Sequence, residues 1–386
     1  MSEPVIRILH TADWHLGRRL GRFDREDDFR AALDWLAAEI ESREIDVVIM
    51  AGDIYDRALP PVDAVKMHNR QLPRLAGLAD LILVTGNHDS VNRMGFGPML
   101  REGLHLRSGI EGLGEPVLIE RDFQLAIYPI PYLDPMTMAN ELDLDESTHT
   151  AVIEEAVRRC RDDLASRGGA RSIAVGHAFI TGSETSESER SIQVGGSESV
   201  SASVFDGFDY VALGHLHRPQ AVGGHIRYAG SPIPLSYSEV GAGAPKSVTV
   251  LELSADGSIE QEQVEIPQMV GMARVSATLE ELLNKAEFKD IEGDWLEVTL
   301  TDSARPDQPM DRLRSRFENV VSLRFDAPIS SASEREAREL AEIAEADPAR
   351  LVSTFLEEVR GSKPTEAEAA LVREALDWKS GEETVS

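Results

Sequence analysis

The chain has 386 residues, of which 42% are hydrophobic, 28% charged and 5% aromatic, a balance typical of a folded globular protein and unlike that of a disordered or fibrous one. At roughly 100 to 200 residues per domain, this length predicts two domains and a small additional segment. A single cysteine, Cys160, excludes an internal disulfide. No run of residues approaches the ~18 apolar residues of a membrane span, and the N-terminus lacks a basic segment followed by an apolar one, so we expect a cytoplasmic protein without membrane contact.

Net charge is the strongest bias of the composition. Lys and Arg number 39 and Asp and Glu number 68, which gives −29 at pH 7. Taken alone, so negative a chain argues against nucleic acid as a partner. The excess is uneven, with 16 acidic against 12 basic residues in residues 1–100, and 31 against 15 in residues 251–386. The charge of the whole chain is therefore weak evidence about the face that carries the chemistry.

The first part of the chain alternates short apolar runs with helical patterns. Strands are predicted at residues 5–9, 47–50 and 81–84, with helices at 25–45 and 62–78 between them. This is the βαβ rhythm of an α/β domain. Further predicted elements are strands at 125–130, 172–175, 210–213 and 247–253, and a helix at 148–166. Residues 181–200, rich in Ser, Gly and Glu, are predicted to form a long loop that is functional or mobile.

The pattern changes after residue 245. Two strands are predicted at 247–254 and 258–266, and residues 274–325 then read strand, helix, strand, helix, strand. Beyond residue 330 only helical patterns remain, and Thr365 with Glu368 forms a capping box at the start of the last one. We therefore expect a first domain at residues 1–268, a small α+β domain at 269–328 and C-terminal helices at 329–386.

Five short motifs stand where predicted strands end. They are Asp13-Trp14-His15, Gly52-Asp53, Gly86-Asn87-His88-Asp89, Gly176-His177 and Gly214-His215-Leu216-His217. In α/β sheets the loops beyond the carboxyl ends of the strands face one crevice, so these five ends can form one site. Each motif alone is weak evidence, but all five in this order are not expected by chance.

The polar residues of these motifs are Asp, Asn and His, without a thiolate. Such nitrogen and oxygen ligands suit borderline to hard divalent ions, with Mn²⁺ as the first choice and Fe²⁺ or Zn²⁺ next. The motifs offer two Asp, one Asn and four His, plus one further His-Asp pair at residues 88 and 89. Seven such ligands are too many for one ion and about right for two ions that share a carboxylate. Two ions ~3.5 to 4 Å apart can clamp a phosphoryl oxygen and neutralise the charge of its transition state. The implied reaction is phosphoester hydrolysis.

The motifs resemble those of the calcineurin-like metallophosphoesterase superfamily. Residues 8–17, 86–90, 182–190 and 208–220 are similar in particular to the SbcD family of bacterial nuclease subunits. The similarity is strong over residues 5–240 and rests on layout alone beyond them. It implies a four-layer α/β/β/α sandwich of two sheets between helices, a small α+β capping domain and a C-terminal helical segment that binds the SbcC ATPase.

The resemblance also implies a role for each motif residue. Two ions are expected to share Asp53. The other ligands of the two ions are, respectively, Asp13, His15 and His217, and Asn87, His177 and His215. His88 is then expected to contact the scissile phosphate and to protonate the leaving oxygen, while Asp89 orients the His88 ring and holds it charged.

The function implied by the resemblance is a DNA nuclease that acts in repair, recombination and replication. It would be an exonuclease on double-stranded ends and an endonuclease on single strands or hairpins, and it would form a homodimer within a heterotetramer with SbcC. Local positive charge for DNA can come from arginines beside the motifs, which are Arg18, Arg19, Arg22, Arg57, Arg93 and Arg218.

Two other functions remain open. One is a small-substrate phosphodiesterase or phosphoprotein phosphatase on the same site. The motifs disfavour the phosphatase. Serine/threonine phosphatases carry motifs that read G-D-x-H-G and G-N-H-E, whereas the corresponding motifs of this chain read Ala12-Asp-Trp-His-Leu16 and Gly86-Asn-His-Asp89. The other is a structural adaptor for the ATPase with incidental hydrolysis, which the filled ligand positions disfavour.

The C-terminal helices carry an apolar face. Its residues at helical spacing are Leu351, Val352, Phe355, Leu356 and Val359, followed by Ala367, Leu371, Ala375 and Trp378 in a second helix. One interpretation is a hairpin that docks on the base of the SbcC coiled coil as a helix-in-groove contact. The alternative is that the hairpin packs on its own chain, as amphipathic helices usually do.

Overall fold

The computed structural model describes residues 4–91, 103–189, 199–241, 245–326, 352, 355 and 363–372. Its strands are, in chain order, β1 (Val5–Thr11), β2 (Val47–Ala51), β3 (Asp80–Val84), β4 (Leu104–Arg107), β5 (Val117–Glu120), β6 (Gln124–Pro129), β7 (Arg171–His177), β8 (Phe179–Ile180), β9 (Ser199–Val200), β10 (Tyr210–Gly214), β11 (Gln220–Val222), β12 (Ile226–Tyr228), β13 (Ser247–Ser254), β14 (Ile259–Glu265), β15 (Met272–Ala277), β16 (Trp295–Leu300) and β17 (Val320–Phe325). Its α-helices are α1 (Glu26–Ser42), α2 (Val62–Leu75), α3 (Pro135–Glu141), α4 (His149–Ser166), α5 (Leu279–Asn284) and α6 (Pro309–Arg314).

Two six-stranded sheets carry most of these strands. The first has the order β14-β13-β1-β2-β3-β4, in which β1 to β4 run parallel, β13 pairs antiparallel with β1, and β14 pairs antiparallel with β13. The second has the order β11-β12-β10-β7-β6-β5, in which β12, β10, β7 and β6 run parallel and the two edge strands antiparallel. The strands that end in the predicted motifs are thus parallel within their sheets, and their loops leave each sheet at one edge.

The central parallel strands, such as β2, β7 and β10, are buried on both faces, which explains why they are almost continuously apolar. In β2, Val47 and Ile49 belong to the apolar cluster that lies between the two sheets, whereas Val48 and Met50 belong to the cluster on the opposite face. The latter cluster contains residues of α1 and α2, and a third cluster joins the second sheet to α3 and α4. The layers are helices, sheet, sheet and helices, which confirms the predicted α/β/β/α sandwich.

The chain divides into two compact units. The first collects Met1–Ser276, Glu280–Thr299 and Gln308–Arg324, and the second collects Ala277–Leu279, Leu300–Asp307 and Phe325–Ser386. A three-stranded sheet has the order β15-β16-β17, with α5 and α6 in its connections, in agreement with the strand and helix order predicted for residues 274–325. The predicted domain boundaries near residues 268 and 328 stay predictions.

Little of the C-terminal region is described. Most of the C-terminal helical segment predicted at residues 329–386 lies outside the described residues, as do Arg93 and residues 190–198. The predicted capping box is confirmed, because Glu368 Oε2 accepts hydrogen bonds from the main-chain nitrogen and hydroxyl of Thr365 at 2.8 and 3.0 Å. Within the described ranges, no helix has the length and apolar character needed to cross a bilayer. The cytoplasmic location stays a prediction.

Candidate metal centre

The predicted motifs meet at one edge of the two packed sheets. Asp13 and His15 follow β1 and Asp53 follows β2, whereas His177 ends β7 in the second sheet. The aspartates and histidines that come together there are almost completely buried, with 5% exposure or less for Asp13, His15, Asp53, His88, His177, His215 and His217. Ionisable side chains are seldom buried without partners. These residues must therefore be stabilised by interactions with one another or with a bound ion.

The backbone reaches this arrangement through left-handed conformations. The φ angles are 53° at Asp13, 45° at His15, 52° at Asp53 and 104° at His215. Residues other than glycine seldom adopt such angles, and conformations of this kind cluster at functional sites. The main-chain nitrogens of Asp13 and His15 donate to Gly52 and Asp53 carbonyls, both at 3.0 Å, so the loops after β1 and β2 stay paired beyond the sheet.

The two sheets approach one another closely at the site. A Cβ atom on Gly214 would lie 1.8 Å from the carbonyl oxygen of Ala51, and a Cβ atom on Gly52 would lie 2.3 Å from His177 Nδ1. Only glycine fits at either position. The motif glycines therefore permit the close approach that brings ligands of both sheets together.

Asp53 stands at the centre of the cluster. Its Oδ2 lies 3.4 Å from His15 Nε2, 3.5 Å from His177 Nε2 and 3.9 Å from His88 Nε2. Its Oδ1 accepts a hydrogen bond from the main-chain nitrogen of His88 at 2.8 Å. One carboxylate oxygen thus faces the ring nitrogens of histidines from both sheets, because His15 follows β1 of the first sheet and His177 ends β7 of the second. This arrangement is expected of a carboxylate shared by two ions.

Asp13, His15 and His217 form one side of the cluster. Nε2 of His15 and Nε2 of His217 face one another at 3.1 Å. The carboxylate of Asp13 accepts hydrogen bonds from the main-chain nitrogen of His215 at 2.9 and 3.1 Å. Donor atoms of Asp13, His15 and His217 lie within 4.8 Å of one another, so three of the residues predicted to bind the first ion with Asp53 are together.

The other side of the cluster contains the remaining predicted ligands. Asn87 Oδ1 lies 3.0 Å from His177 Nε2, and the ring centroid of His215 lies 5.3 Å from that of His177. The Nδ1 atom of His177 donates to the carbonyl oxygen of Ala51 at 3.0 Å, because a carbonyl can only accept. In the neutral ring, Nε2 then carries the lone pair and faces Asp53.

The electrostatics of the cluster favour a positive charge at its centre. Burial lowers the pKa of His15 and of His215 to about 3. Burial also lowers the pKa of His177, but the charges of Asp53 and Asp13 outweigh it and raise the value to about 9. Burial raises the pKa of Asp13 well above its usual range. Burial also acts to raise the pKa of Asp53, but the charge and hydrogen bond of His177 together with the charges of the other neighbouring histidines outweigh it and hold that pKa well below its usual range. Without an ion, the His177 ring supplies the charge that the carboxylates require.

The structure corrects the role expected for Asp89. The carboxylate of Asp89 accepts hydrogen bonds from the main-chain nitrogens of Ile54, Tyr55 and Gly86 at 3.0 to 3.1 Å. The ring of His88 is oriented instead by a main-chain group, because its Nδ1 donates to the Asp56 carbonyl at 2.7 Å. Asp89 therefore joins the loop after β2 to the loop after β3, and it positions these loops without contacting the ring of His88.

Comparison with protein-family models identifies the family. The model described as calcineurin-like phosphoesterase matches residues 6–219, which is more than half of the chain. The chain belongs to the calcineurin-like phosphoesterase family. A second model, the SbcD C-terminal domain, described as the type 5 capsule protein repressor C-terminal domain, matches residues 268–360. The two matches support an SbcD-like protein, in agreement with the resemblance of the motifs.

Solved structures of low sequence identity resemble the chain. TT1561 of Thermus thermophilus is 12% identical with a TM-score of 0.40, covering 68% of this chain and 100% of its own. A dimetal phosphatase from Danio rerio is 11% identical with a TM-score of 0.39, covering 69% and 100%. GAP50, the anchor in the inner membrane complex of Plasmodium, is 11% identical with a TM-score of 0.38, covering 84% and 98%.

The donor atoms of this phosphoesterase fit divalent cations. The structure contains three groups whose donor atoms lie within 4.8 Å of one another, namely Asp13 with His15 and His217, His15 with Asp53 and His88, and Asp13 with Asp53 and His177. Imidazole nitrogens and carboxylate oxygens are the ligands of borderline to hard divalent ions. Between the facing Nε2 atoms of His15 and His217 at most one hydrogen can lie, whereas a cation can accept both lone pairs.

Sequence reasoning missed the residues that surround His217. Ser188 contacts its ring, and behind Ser188 lie Glu239 and Lys246, which form a buried ion pair. Burial raises the pKa of Glu239, but the nearby charges, that of Lys246 first, and the hydrogen bonds from Lys246 and Ser188 together outweigh burial and bring the value to about 2. These residues have no apolar period and follow no predicted strand. The one signal was the run at residues 182–190, which resembled the SbcD family without a role for Ser188.

Proposed function

We propose that this phosphoesterase is a two-metal DNA nuclease that acts with the SbcC ATPase. The proposal is carried by one joint observation, which is the buried cluster around Asp53 in a chain that also matches the SbcD C-terminal domain. The expected activities are exonucleolytic on double-stranded ends and endonucleolytic on single strands and hairpins. The expected roles are in DNA repair, recombination and replication.

The metal site of the proposal uses the convergent residues. One ion would be held by Asp13, His15, Asp53 and His217, and the other by Asp53, Asn87, His177 and His215, with Mn²⁺ as the preferred metal. Bound ions supply charge neutralisation to the phosphoryl group in the transition state. The distances from Asp53 Oδ2 to His15 and to His177, 3.4 and 3.5 Å, support Asp53 as the shared ligand.

The proton chemistry of the proposal belongs to His88. Its Nδ1 is engaged with the Asp56 carbonyl, and its Nε2 lies 3.9 Å from Asp53 Oδ2, at the border of the metal cluster. A protonated Nε2 can contact a phosphate oxygen and then protonate the leaving oxygen. The main-chain nitrogen of His88 donates a hydrogen bond to Asp53, which holds the backbone that carries the ring next to the candidate metal ligands.

Positive charge for the DNA backbone is local. Arg18 and Arg57 flank Asp56, with Arg18 Nη1 3.0 Å and Arg57 Nη2 3.7 Å from its carboxylate, and the Arg57 side chain is 58% exposed. Asp56 itself lies 3.7 Å from His15 Nδ1. Arginines next to the metal cluster can therefore neutralise phosphates at the site although the chain carries −29 overall.

The proposal is tested by the substrate that the purified full chain cleaves. Linear duplex DNA, a DNA hairpin and a generic chromogenic phosphodiester are each incubated with Mn²⁺ or with a chelator. We expect metal-dependent shortening of the duplex and opening of the hairpin. Hydrolysis of the small phosphodiester with both DNA substrates intact would instead support the small-substrate phosphodiesterase, and no hydrolysis of any substrate would support the adaptor.

We also propose a homodimer. Two large apolar side chains are exposed at the start of α2, namely Val62, its first residue, at 69% and Leu59, in the loop before it, at 64%. Light scattering of the full chain at micromolar concentration is expected to give twice the mass of one chain. Val62→Asp is expected to shift this mass toward one chain, and a strictly monomeric wild-type chain would exclude the dimer.

A further inference from the structure

The ring of His217 is held by a buried hydrogen-bond chain that ends at an ion pair. Ser188 Oγ lies 2.6 Å from His217 Nδ1, and the Ser188 hydroxyl donates to Glu239 Oε1 at 2.6 Å. The ammonium of Lys246 donates to the other carboxylate oxygen of Glu239. All four residues are 6% exposed or less. The Glu239 carboxylate also accepts from the main-chain nitrogen of Leu235 at 3.2 Å and from Ser236 Oγ at 2.9 Å, so donors surround it on every side. In such a buried chain the donors and acceptors determine the direction of the hydrogens.

The single hydrogen of the Ser188 hydroxyl must point to Glu239, because an ionised carboxylate can only accept. The lone pairs of Ser188 Oγ then accept from its two other neighbours, Ser186 Oγ at 2.8 Å and His217 Nδ1. His217 therefore carries its hydrogen on Nδ1. Its Nε2 is left with a lone pair, and this is the atom that faces His15 Nε2 in the metal cluster.

The arrangement at His217 differs from that of two neighbouring histidines. The rings of His177 and His88 are fixed through Nδ1 by main-chain carbonyls of Ala51 and Asp56, which no substitution of those residues removes. The hydroxyl at His217 can donate as well as accept, so Ser188 alone would permit either tautomer. Glu239 removes this ambiguity.

We propose that Ser188 and Glu239 are positioning residues that hold His217 in the tautomer able to bind a metal ion through Nε2. The inference rests on the metal site proposed above. It also assigns a role to the described part of the long Ser- and Glu-rich loop. Residues of the same loop hold the main chain of His217, because its nitrogen donates to Glu189 Oε1 at 2.9 Å.

Glu239→Gln in the full chain is the sharpest variant. Lys246 is a donor and requires the amide oxygen of the glutamine, which turns the amide nitrogen toward Ser188. Ser188 then accepts from that nitrogen and, as in the wild type, from Ser186 Oγ, so its own hydrogen points to His217 Nδ1 and the ring hydrogen moves to Nε2. Glu187→Gln is the matched control, because Glu187 lies in the same loop, is 64% exposed and contacts Arg274 rather than Ser188.

The tautomer is read directly by long-range ¹H–¹⁵N NMR of the metal-free protein with ¹⁵N-labelled histidine rings, and His217→Ala identifies the signals of this ring. We expect hydrogen on Nδ1 in the wild type and in Glu187→Gln, and on Nε2 in Glu239→Gln. Hydrogen on Nε2 in the wild-type ring, or a tautomer unchanged by Glu239→Gln, would overturn the proposal.

Mn²⁺ titration calorimetry supplies the second readout. Second-layer partners of metal-binding histidines commonly contribute about 10- to 100-fold to metal affinity, so we expect losses of this size in Glu239→Gln and Ser188→Ala and none in Glu187→Gln. Unchanged affinity in both variants would overturn the role in metal binding. If Glu239→Gln does not fold, the wild-type tautomer and the affinity of Ser188→Ala decide. A wild-type chain that binds no Mn²⁺ would refute the metal site itself. The NMR result would still test whether Ser188 and Glu239 determine the tautomer of His217.

Discussion

Nε2 of His177 lies 3.5 Å from Oδ2 of Asp53, although the two residues belong to different sheets. His177 ends β7 in the second sheet, whereas Asp53 follows β2 in the first. Their contact exists only while the two sheets are packed against one another at this edge. The cluster of candidate metal ligands therefore depends on the packing of the whole sandwich, including residues that bind no ion and contact no substrate themselves.

Gly214→Ala tests this dependence. The added methyl would lie 1.8 Å from the Ala51 carbonyl oxygen, so the sheets must separate at the site. We expect a loss of about 3 kcal/mol or more in the free energy of unfolding, together with weaker Mn²⁺ binding. Gly224→Ala is the matched control, because nothing lies within 4 Å of its added methyl. Equal chemical denaturation midpoints for the two variants would contradict the account of sheet packing.

His88→Ala separates proton transfer from metal binding. We expect the variant to keep both ions and to lose DNA cleavage by about 10²- to 10⁴-fold, the usual contribution of a general acid. His225→Ala, in the turn between β11 and β12, is expected to cleave like the wild type. Cleavage rates and metal content are measured on the same preparations. Loss of one ion from His88→Ala would mean that His88 is a ligand and not a proton donor.

Much of this site could be predicted from the sequence, because its residues follow strands with strong apolar patterns. The strands that end just before Asp13 and Asp53, and the strand that ends at His177, are buried on both faces, so hydrophobicity alone locates them. Short strands were missed instead. β4 and β5 have four residues each, and β12 has three, too few for a pattern to stand out.

The wrong assignment of Asp89 has a physical origin. Asp89 is adjacent to His88 in the sequence, which made it the obvious partner for the ring. The actual partner is a main-chain carbonyl of Asp56, a group that every residue possesses and no sequence pattern distinguishes. Ser188 and Glu239 were missed for a related reason, since 51 residues separate them and neither lies at a strand end.

The ion pair of Glu239 predicts a pH-dependent contribution to stability. Its pKa is about 2 in the folded protein, below the value of 4.5 for a free glutamate. The stabilisation is present above pH 4.5 and is lost as the pH falls toward 2. We expect the difference in unfolding free energy between the wild type and Glu239→Gln to shrink by about 1 to 2 kcal/mol from pH 6 to pH 3. Urea titrations in chelator measure it, and a pH-independent difference would contradict the assigned ionisation.

The C-terminal segment exposes apolar side chains that suit a partner helix. Phe355 is 62% and Leu371 64% exposed. We expect Phe355→Asp and Leu371→Asp in the full chain to abolish co-purification with SbcC and to leave metal content unchanged. Met136→Asp on α3 is the matched control, because Met136 is 60% exposed and lies in the first unit. Undiminished complex formation by both C-terminal variants would favour packing of this segment on its own chain.

The number of metal ions per chain tests the central claim most directly. Elemental analysis after gel filtration in Mn²⁺ is expected to give two ions in the wild type. Asp53→Ala is expected to lose metal at both positions, because its Oδ2 faces His15 and His177 at 3.4 and 3.5 Å. Asp162→Ala, an exposed position on α4, is expected to keep two ions. Two ions retained by Asp53→Ala would contradict a shared carboxylate at the centre of this site.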